Sequence, residues 1–336
     1  MSKIKFNGKI SYRISSYLKL SQIALKVIWS KLTKKSINSK WSTDFEIGVL
    51  FWRHQFNRAF SYSSIQEGRA YFESLITSVD EDFEVISTPT NPNEPRGEWH
   101  RLDGQPTKNK ILYLHGGGYT FRSEISLNFA RMLAGLLKIE LFMPFYRLTP
   151  EHPHPAQIED ALAAYKYLRN KGIEARNIII IGDSAGGHLV LMLLLALKQL
   201  NLPQPAIGIC LSPWTDIGER GKSFYGNDKY DLVQGYMAKQ FDHWLQGNTN
   251  PVSESLSPIY QDFSNVAPIY VQAGVKEVLF DMIDEFASKL KAQNINITLD
   301  TWPQMTHNFQ FHGNTHPDSK DAFSKIQNLI KKIMQP

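Results

Sequence analysis

Gly182-Asp183-Ser184-Ala185-Gly186 sets a serine between glycines, directly after four consecutive isoleucines at 178–181. The β-branched run predicts a short buried strand and residue 185 onward a helix, so this Gly-x-Ser-x-Gly pattern places Ser184 on a sharp strand-to-helix turn. There the hydroxyl stands beside the amides of a helix N-terminus, where negative charge is favoured. A serine hydroxyl is a weak nucleophile near neutral pH. It needs a base to take its proton, a carboxylate to orient the base, and donors for the oxyanion that forms on the attacked carbonyl. The chemistry on offer is acyl transfer, and because glycine-rich turns also serve packing and phosphate binding, its other parts must be found elsewhere in the chain.

Each part has a candidate. His115-Gly116-Gly117-Gly118 follows an expected strand at 110–114, so its amides are available above the sheet edge, and the amide of Ala185, next to the serine, is a further donor. Of ten histidines, His307 in Met305-Thr306-His307-Asn308-Phe309 follows the last expected strand, whose carboxyl end directs the loop toward Ser184. His152 and His154 lie in a proline-rich loop, His100 in a hairpin strand and His188 one turn after the serine; all four read as structural or solvated. His54 sits on an N-terminal helical pattern, and His243, His312 and His316 have no placement argument. The acid belongs after the strand at 268–273, where Glu277, Asp281 and Asp284 compete. Glu277 stands nearest the strand end. The other two fall in the first turn of the next helix, where carboxylates are common because they complement the helix dipole.

These residues need a scaffold. From 110 onward strands and helices alternate: strands at 110–114, 139–145, 178–181, 206–211, 268–273 and 295–302, with helices marked by Ile158 to Leu168, by Met282 to Leu290 and by Phe323 to Ile333. That order calls for a mostly parallel sheet covered on both faces. Segments 83–87 and 97–102 read as a hairpin. Upstream, helical patterns cover 17–32, 45–59 and 64–77, the first with apolar positions Tyr17, Leu20, Ala24, Val27 and Ile28, and 36–42 reads as a linker. More than fifty residues separate the strands at 206–211 and 268–273. They are rich in aromatics, as a lid or binding element would be.

The 336 residues, 42% hydrophobic, suffice for one large α/β domain or two small ones. The single cysteine, Cys210, excludes a disulfide framework and a multi-cysteine metal site and reads as a buried small hydrophobe. Neither cofactor nor metal is expected. Residues 1–40 hold ten Lys or Arg and no Asp or Glu, so a +10 arm precedes a body of net −5, an asymmetry that reads first as a solvated helix face and otherwise suits anionic surfaces such as lipid headgroups, with nucleic acid a weaker fit. No run reaches the ~18 apolar residues of a membrane span. Lys19 and Lys26 interrupt the N-terminal apolar pattern and no small-residue cleavage site follows, so the expected location is cytoplasmic, with peripheral membrane contact through residues 1–33 allowed by the charge. A homodimer is compatible with the chain.

His115-Gly116-Gly117-Gly118, the stretch Tyr146-Arg147-Leu148-Thr149-Pro150-Glu151-His152-Pro153, Gly182-Asp183-Ser184-Ala185-Gly186-Gly187 and Ser212-Pro213-Trp214-Thr215-Asp216 together resemble the hormone-sensitive-lipase-like esterases of the α/β-hydrolase superfamily, from about residue 83 to the C-terminus. The resemblance implies an α/β-hydrolase fold with a helical cap: residues 1–76 as basic arm and cap helices, and 77–336 as catalytic domain with a cap insertion at about 216–256. It implies Ser184 as nucleophile, His307 as base, and Gly117, Gly118 and Ala185 as oxyanion donors. The family's acid is usually an aspartate in Asp-Pro-Leu-Arg-Asp; here the stretch is Glu277-Val278-Leu279-Phe280-Asp281, so Glu277 takes that position as a departure from the pattern. The expected activity is that of a serine carboxylesterase on short- to medium-chain acyl esters, with small-molecule ester substrates and no nucleic-acid partner. Two alternatives stand beside it: a lactone hydrolase, and a noncatalytic small-ligand-binding protein. The plant gibberellin receptors resemble the family in the second way yet lack the histidine that this chain retains as His307.

Overall fold

Side chains alternate faces along a strand, so an all-isoleucine strand must be buried on both. In the computed structural model, Ile178 and Ile180 join one apolar cluster and Ile179 and Ile181 another, on opposite sides of a central sheet. The structure describes residues 3–78, 83–104, 107–247 and 253–334. The ends of the expected domain spans, at 1–2 and 335–336, and 248–252 within the expected insertion lie outside the described residues.

The N-terminal segment comprises β1 (Lys3–Phe6), α1 (Ile10–Leu32), α2 (Thr43–Phe60), α3 (Ile65–Glu73) and β2 (Leu75–Ser78), with β1 and β2 paired antiparallel. The main sheet is built from β3 (Val85–Pro89), β4 (Gly97–Leu102), β5 (Lys110–Leu114), β6 (Glu140–Pro144), β7 (Ile178–Asp183), β8 (Ile207–Leu211), β9 (Ile269–Gly274) and β10 (Ile297–Trp302). Their spatial order is β10-β9-β8-β7-β5-β6-β4-β3. Strands β5 to β10 are parallel, and β4 runs antiparallel to both of its neighbours, β6 and β3. Helices α4 (Glu124–Leu137) and α11 (Pro317–Met334) supply Leu133 and Ile326 to one face. On the other, α5 (Ala156–Asn170), α6 (Ala185–Gln199) and α10 (Phe280–Ala292) supply Leu168, Leu194 and Met282.

The chain leaves β5 through α4 to β6 on one side and returns through α5 to β7 on the other. Two neighbouring strands whose continuations depart in opposite directions open a crevice at their carboxyl ends, where α/β sheets bind ligands. Above that crevice lies the long segment after β8, with α7 (Ser223–Gly226), α8 (Gly235–Gln246) and α9 (Ser253–Leu256). It is fastened to α2. The Arg53 guanidinium donates to the carbonyls of Asp231 at 2.6 Å and Lys229 at 2.8 Å, and Phe60 stacks on Trp244 with ring centroids 5.7 Å apart.

Three expectations need correction. The helical pattern at 64–77 stops at Glu73, and Leu75–Ser78 is a strand paired with Lys3–Phe6, a contact seventy residues away that local periodicity cannot reveal. On α1 the expected apolar face holds at Val27, which is buried, and at half-buried Leu20 and Ala24, but Ile23 belongs to it as well, while Tyr17 and Ile28 are exposed. Helix α4 escapes notice because its second half, Phe129 to Leu137, is almost continuously buried, so a wide apolar face hides the helical period.

Ile180 has no solvent exposure and packs in the sheet's larger cluster. Ile180→Ala is expected to cost about 2–5 kcal/mol, and Ile180→Val about 0.5–1.5, in the stability read from denaturant midpoints.

Candidate active site

β7 ends at Asp183 and α6 begins at Ala185, so the whole strand-to-helix reversal falls on Ser184, whose φ of 54° and ψ of −121° lie outside the regions a side-chain-bearing residue favours. Such a conformation costs about 1–3 kcal/mol and persists only where surrounding contacts over-determine it. They do. The Ser184 amide donates to the Leu211 carbonyl at 2.8 Å, and its own carbonyl accepts from His188 at 3.0 Å and Trp214 at 3.3 Å. The flanking glycines serve closeness: a Cβ on Gly186 would collide with the Leu114 carbonyl, and one on Gly182 with the Gly186 carbonyl.

The loop after β5 is bound to the same turn. Asp183, buried, accepts from the Tyr113 hydroxyl at 2.6 Å, the Gly116 amide at 2.9 Å and the Asn308 side-chain amide at 2.8 Å. Gly117 and Gly118 then take φ of 98° and 60°, where a Cβ would be strained and would strike Phe121 and Phe241 respectively. Among the described residues, the amides of Gly117, Gly118 and Ala185 donate to no protein acceptor. They remain available to a ligand.

The imidazole comes from the loop after β10. His307 Nδ1 lies 2.9 Å from Glu277 Oε2, and Glu277, buried, also accepts from the Gly274 amide at 2.6 Å. Neither competing acid reaches it. Asp281 accepts from the Ser223 amide at 2.9 Å, and Asp284 is exposed. Burial pulls the His307 pKa down, but the hydrogen bond and charge of Glu277, helped by Asp231 and Asp183, outweigh it, and the net shift is upward.

Asp231 was not singled out from the sequence. It is fully buried and accepts from the backbone amides of His307 at 3.0 Å, Val278 at 2.8 Å and Leu232 at 2.8 Å. One carboxylate thus ties together the loop bearing the histidine, the turn bearing Glu277 and the segment above the crevice. Burial raises its pKa to about 6, opposed by the charge of His307 and reinforced by that of Glu277. No local signal marks it, because Tyr230-Asp231-Leu232 resembles any polar turn.

Ser184, Gly117, Gly118 and His307 line one cavity of about 60 Å³, walled by Trp214, Val233, Phe241 and Leu279. A second cavity of about 130 Å³ adjoins it at Gly117, Leu232 and His307 and extends past Val49, Trp52 and Phe56 of α2 to His312. Ala185 is buried at the start of α6, and Glu277 sits behind the imidazole rather than in the cavity wall. The remaining histidines divide as burial dictates. His188 is bonded to the Tyr119 hydroxyl and, at 2.6 Å, to the Leu256 carbonyl, and burial lowers its pKa to about 4. His312, unplaced from sequence, reaches the cavity; burial and the neighbouring His316 hold it at about 4.

Comparison with known proteins agrees with this architecture. A family model described as alpha/beta hydrolase fold matches residues 111–311, a span from β5 to just beyond His307. The chain is 32% identical over 242 residues to an esterase of Acinetobacter venetianus, covering 71% of this chain and 79% of that one. It is 30% identical over 228 residues to an acetyl-hydrolase of Streptomyces hygroscopicus, covering 67% and 76%. A crystal structure of an esterase from the bacterial hormone-sensitive lipase family aligns with a TM-score of 0.74 at 30% identity, over 84% of this chain and 97% of that one. The chain belongs to the hormone-sensitive-lipase-like branch of the α/β hydrolases.

Proposed function

We propose that the protein hydrolyses short- to medium-chain acyl esters through an acyl-enzyme formed on Ser184. Membership of a branch whose relatives are esterases and acetyl-hydrolases makes it a carboxylic ester hydrolase. The serine route is our reading, and it rests on one observation: His307 shares a cavity with Ser184 while its Nδ1 is engaged by buried Glu277 at 2.9 Å. With Nδ1 so engaged, Nε2 is the nitrogen left for the serine proton.

In the reaction, His307 takes the proton of Ser184 as Oγ attacks the ester carbonyl. The oxygen that gains the electron pair is held by the amides of Gly117, Gly118 and Ala185, each such donor being worth about 10²–10³ in rate. Collapse of the adduct breaks the bond to the alcohol, which leaves with the proton from His307. Water, deprotonated by the same imidazole, then attacks the acyl-serine, and a second collapse releases the acid and restores the Ser184 hydroxyl. Glu277 stabilises the imidazolium formed in both halves. Residues 1–76 and about 216–256 act in this reading as a cap. The apolar walls that Val49, Trp52 and Phe56 contribute from one side and Val233 and Phe241 from the other support it. The small volume beside Ser184 favours short acyl groups.

Ser184→Ala is expected to abolish hydrolysis of p-nitrophenyl acetate; retained turnover rejects the nucleophile. Across p-nitrophenyl esters from acetate to palmitate, kcat/KM is expected to peak at short to medium chains, and a palmitate optimum would contradict the pocket assignment. The base must be neutral to accept a proton, so an upward-shifted His307 places the acid limb of kcat/KM above the ordinary imidazole value of about 6.5. Glu277→Gln is expected to lower kcat by about 10³–10⁴ and move the residual limb to lower pH, while Asp281→Asn leaves both near wild type. The reverse pattern would assign the acid to Asp281.

A further inference from the structure

Helix α1 is apolar on two opposite faces, and the fold uses only one. Ile23 and Val27 face inward against Phe6, Phe51 and Leu75. On the other side Ile14, Leu18, Leu25 and Leu32, spaced by fours and sevens, form a stripe with Ile28 and Trp29, and all six are exposed. Of the thirteen large apolar side chains exposed among the described residues, eight lie on this one helix. Leu25, Trp29 and Leu32 are 70%, 69% and 74% exposed, so nothing among the described residues packs over them. The 23-residue helix is about 35 Å long.

Cationic side chains lie along the flank of the stripe. Lys19 and Lys26, neither paired with a carboxylate among the described residues, line a groove between α1 and α2 with Arg53 and His54, and no acidic residue lines it. Arg53 there donates only to backbone carbonyls. The charge of the whole segment decides what covers the stripe. Residues 1–40 carry +10, of which only Lys31 is paired with a carboxylate, Glu46, among the described residues, so stacking the stripes of two copies would crowd like charges, whereas an anionic bilayer neutralises them. Apolar side chains over one face with lysines beside them match a helix lying about 5–10 Å into the headgroup boundary, its lysine stems extended along the apolar layer toward phosphate.

We propose that the outer face of α1 docks the protein, lying flat, on anionic phospholipid bilayers, with Ile14, Leu18, Leu25 and Trp29 inserted and Lys19 and Lys26 on the headgroup phosphates. This surface is separate from the chemistry at Ser184 and stands or falls without it.

Co-sedimentation of the full chain with vesicles tests it. The protein is expected to pellet with vesicles of equal parts phosphatidylglycerol and phosphatidylcholine and to stay in solution with phosphatidylcholine alone. Binding should weaken several-fold between about 0.1 M and about 1 M salt, where the screening length falls from about 10 Å to about 3 Å. Leu25→Ser with Trp29→Ser, and separately Lys19→Gln with Lys26→Gln, should each reduce the bound fraction at least about fivefold with an unchanged thermal transition, since exposed positions alter stability little. A protein that remains in solution with the anionic vesicles overturns the proposal. So does equal binding to neutral vesicles, or a dimer in analytical ultracentrifugation that Leu25→Ser with Trp29→Ser dissolves, which would assign the stripe to a second copy.

Discussion

Three carboxylates buried around one imidazole set the terms for this structure. A buried carboxylate without partners costs several kcal/mol, so Asp183, Asp231 and Glu277 must each collect hydrogen-bond donors. The donors they collect are largely backbone amides of the loops that carry the site: Gly116 for Asp183, His307 and Val278 for Asp231, Gly274 for Glu277. Satisfying the charges and positioning the loops are therefore one event. The same charges act on His307, which would be pushed toward neutrality by burial alone and is instead held above its ordinary pKa.

Strain is placed where this network can bear it. Ser184 occupies a backbone conformation that a side-chain-bearing residue avoids, at the junction of a strand buried along its whole length and the most completely buried α-helix of the described chain. Both elements are anchored by apolar contacts on all sides, so the turn between them cannot relax without dislodging one of them. The glycine loop is fixed from beneath by Asp183 and from above by Phe121 and Phe241, leaving its amides without protein acceptors. Preorganised donors of this kind need little reorganisation when charge develops beside them.

The N-terminal segment does two jobs on two sides. Helix α2 turns Val49, Trp52 and Phe56 to the cavity, while Leu50 and Arg53 face α1. Helix α1 turns Leu20, Ile23 and Val27 inward and leaves eight large apolar side chains exposed. Hydrophobic periodicity alone cannot distinguish these faces. Tyr17 and Ile28 suit an inward stripe as well as Ile23 and Val27 do, until the position of α2 chooses between them.

Much of the site was written locally. The serine turn, the glycine loop and the alternation that demands a parallel sheet are properties of short segments, and Glu277 is favoured over Asp281 by its nearness to a strand end, by the helix dipole that accounts for Asp281, and by its place in the family's motif. What the sequence could not decide is whatever depends on segments meeting from afar. The pairing of Leu75–Ser78 with Lys3–Phe6, the role of Asp231 in joining three loops, and the outward face of α1 each require knowing which stretch lies opposite which. Local pattern is set by the conformational preferences of neighbouring residues, so it can be read one segment at a time. Burial of a charge or exposure of a leucine is set by what packs against it, and only the folded chain supplies that neighbour.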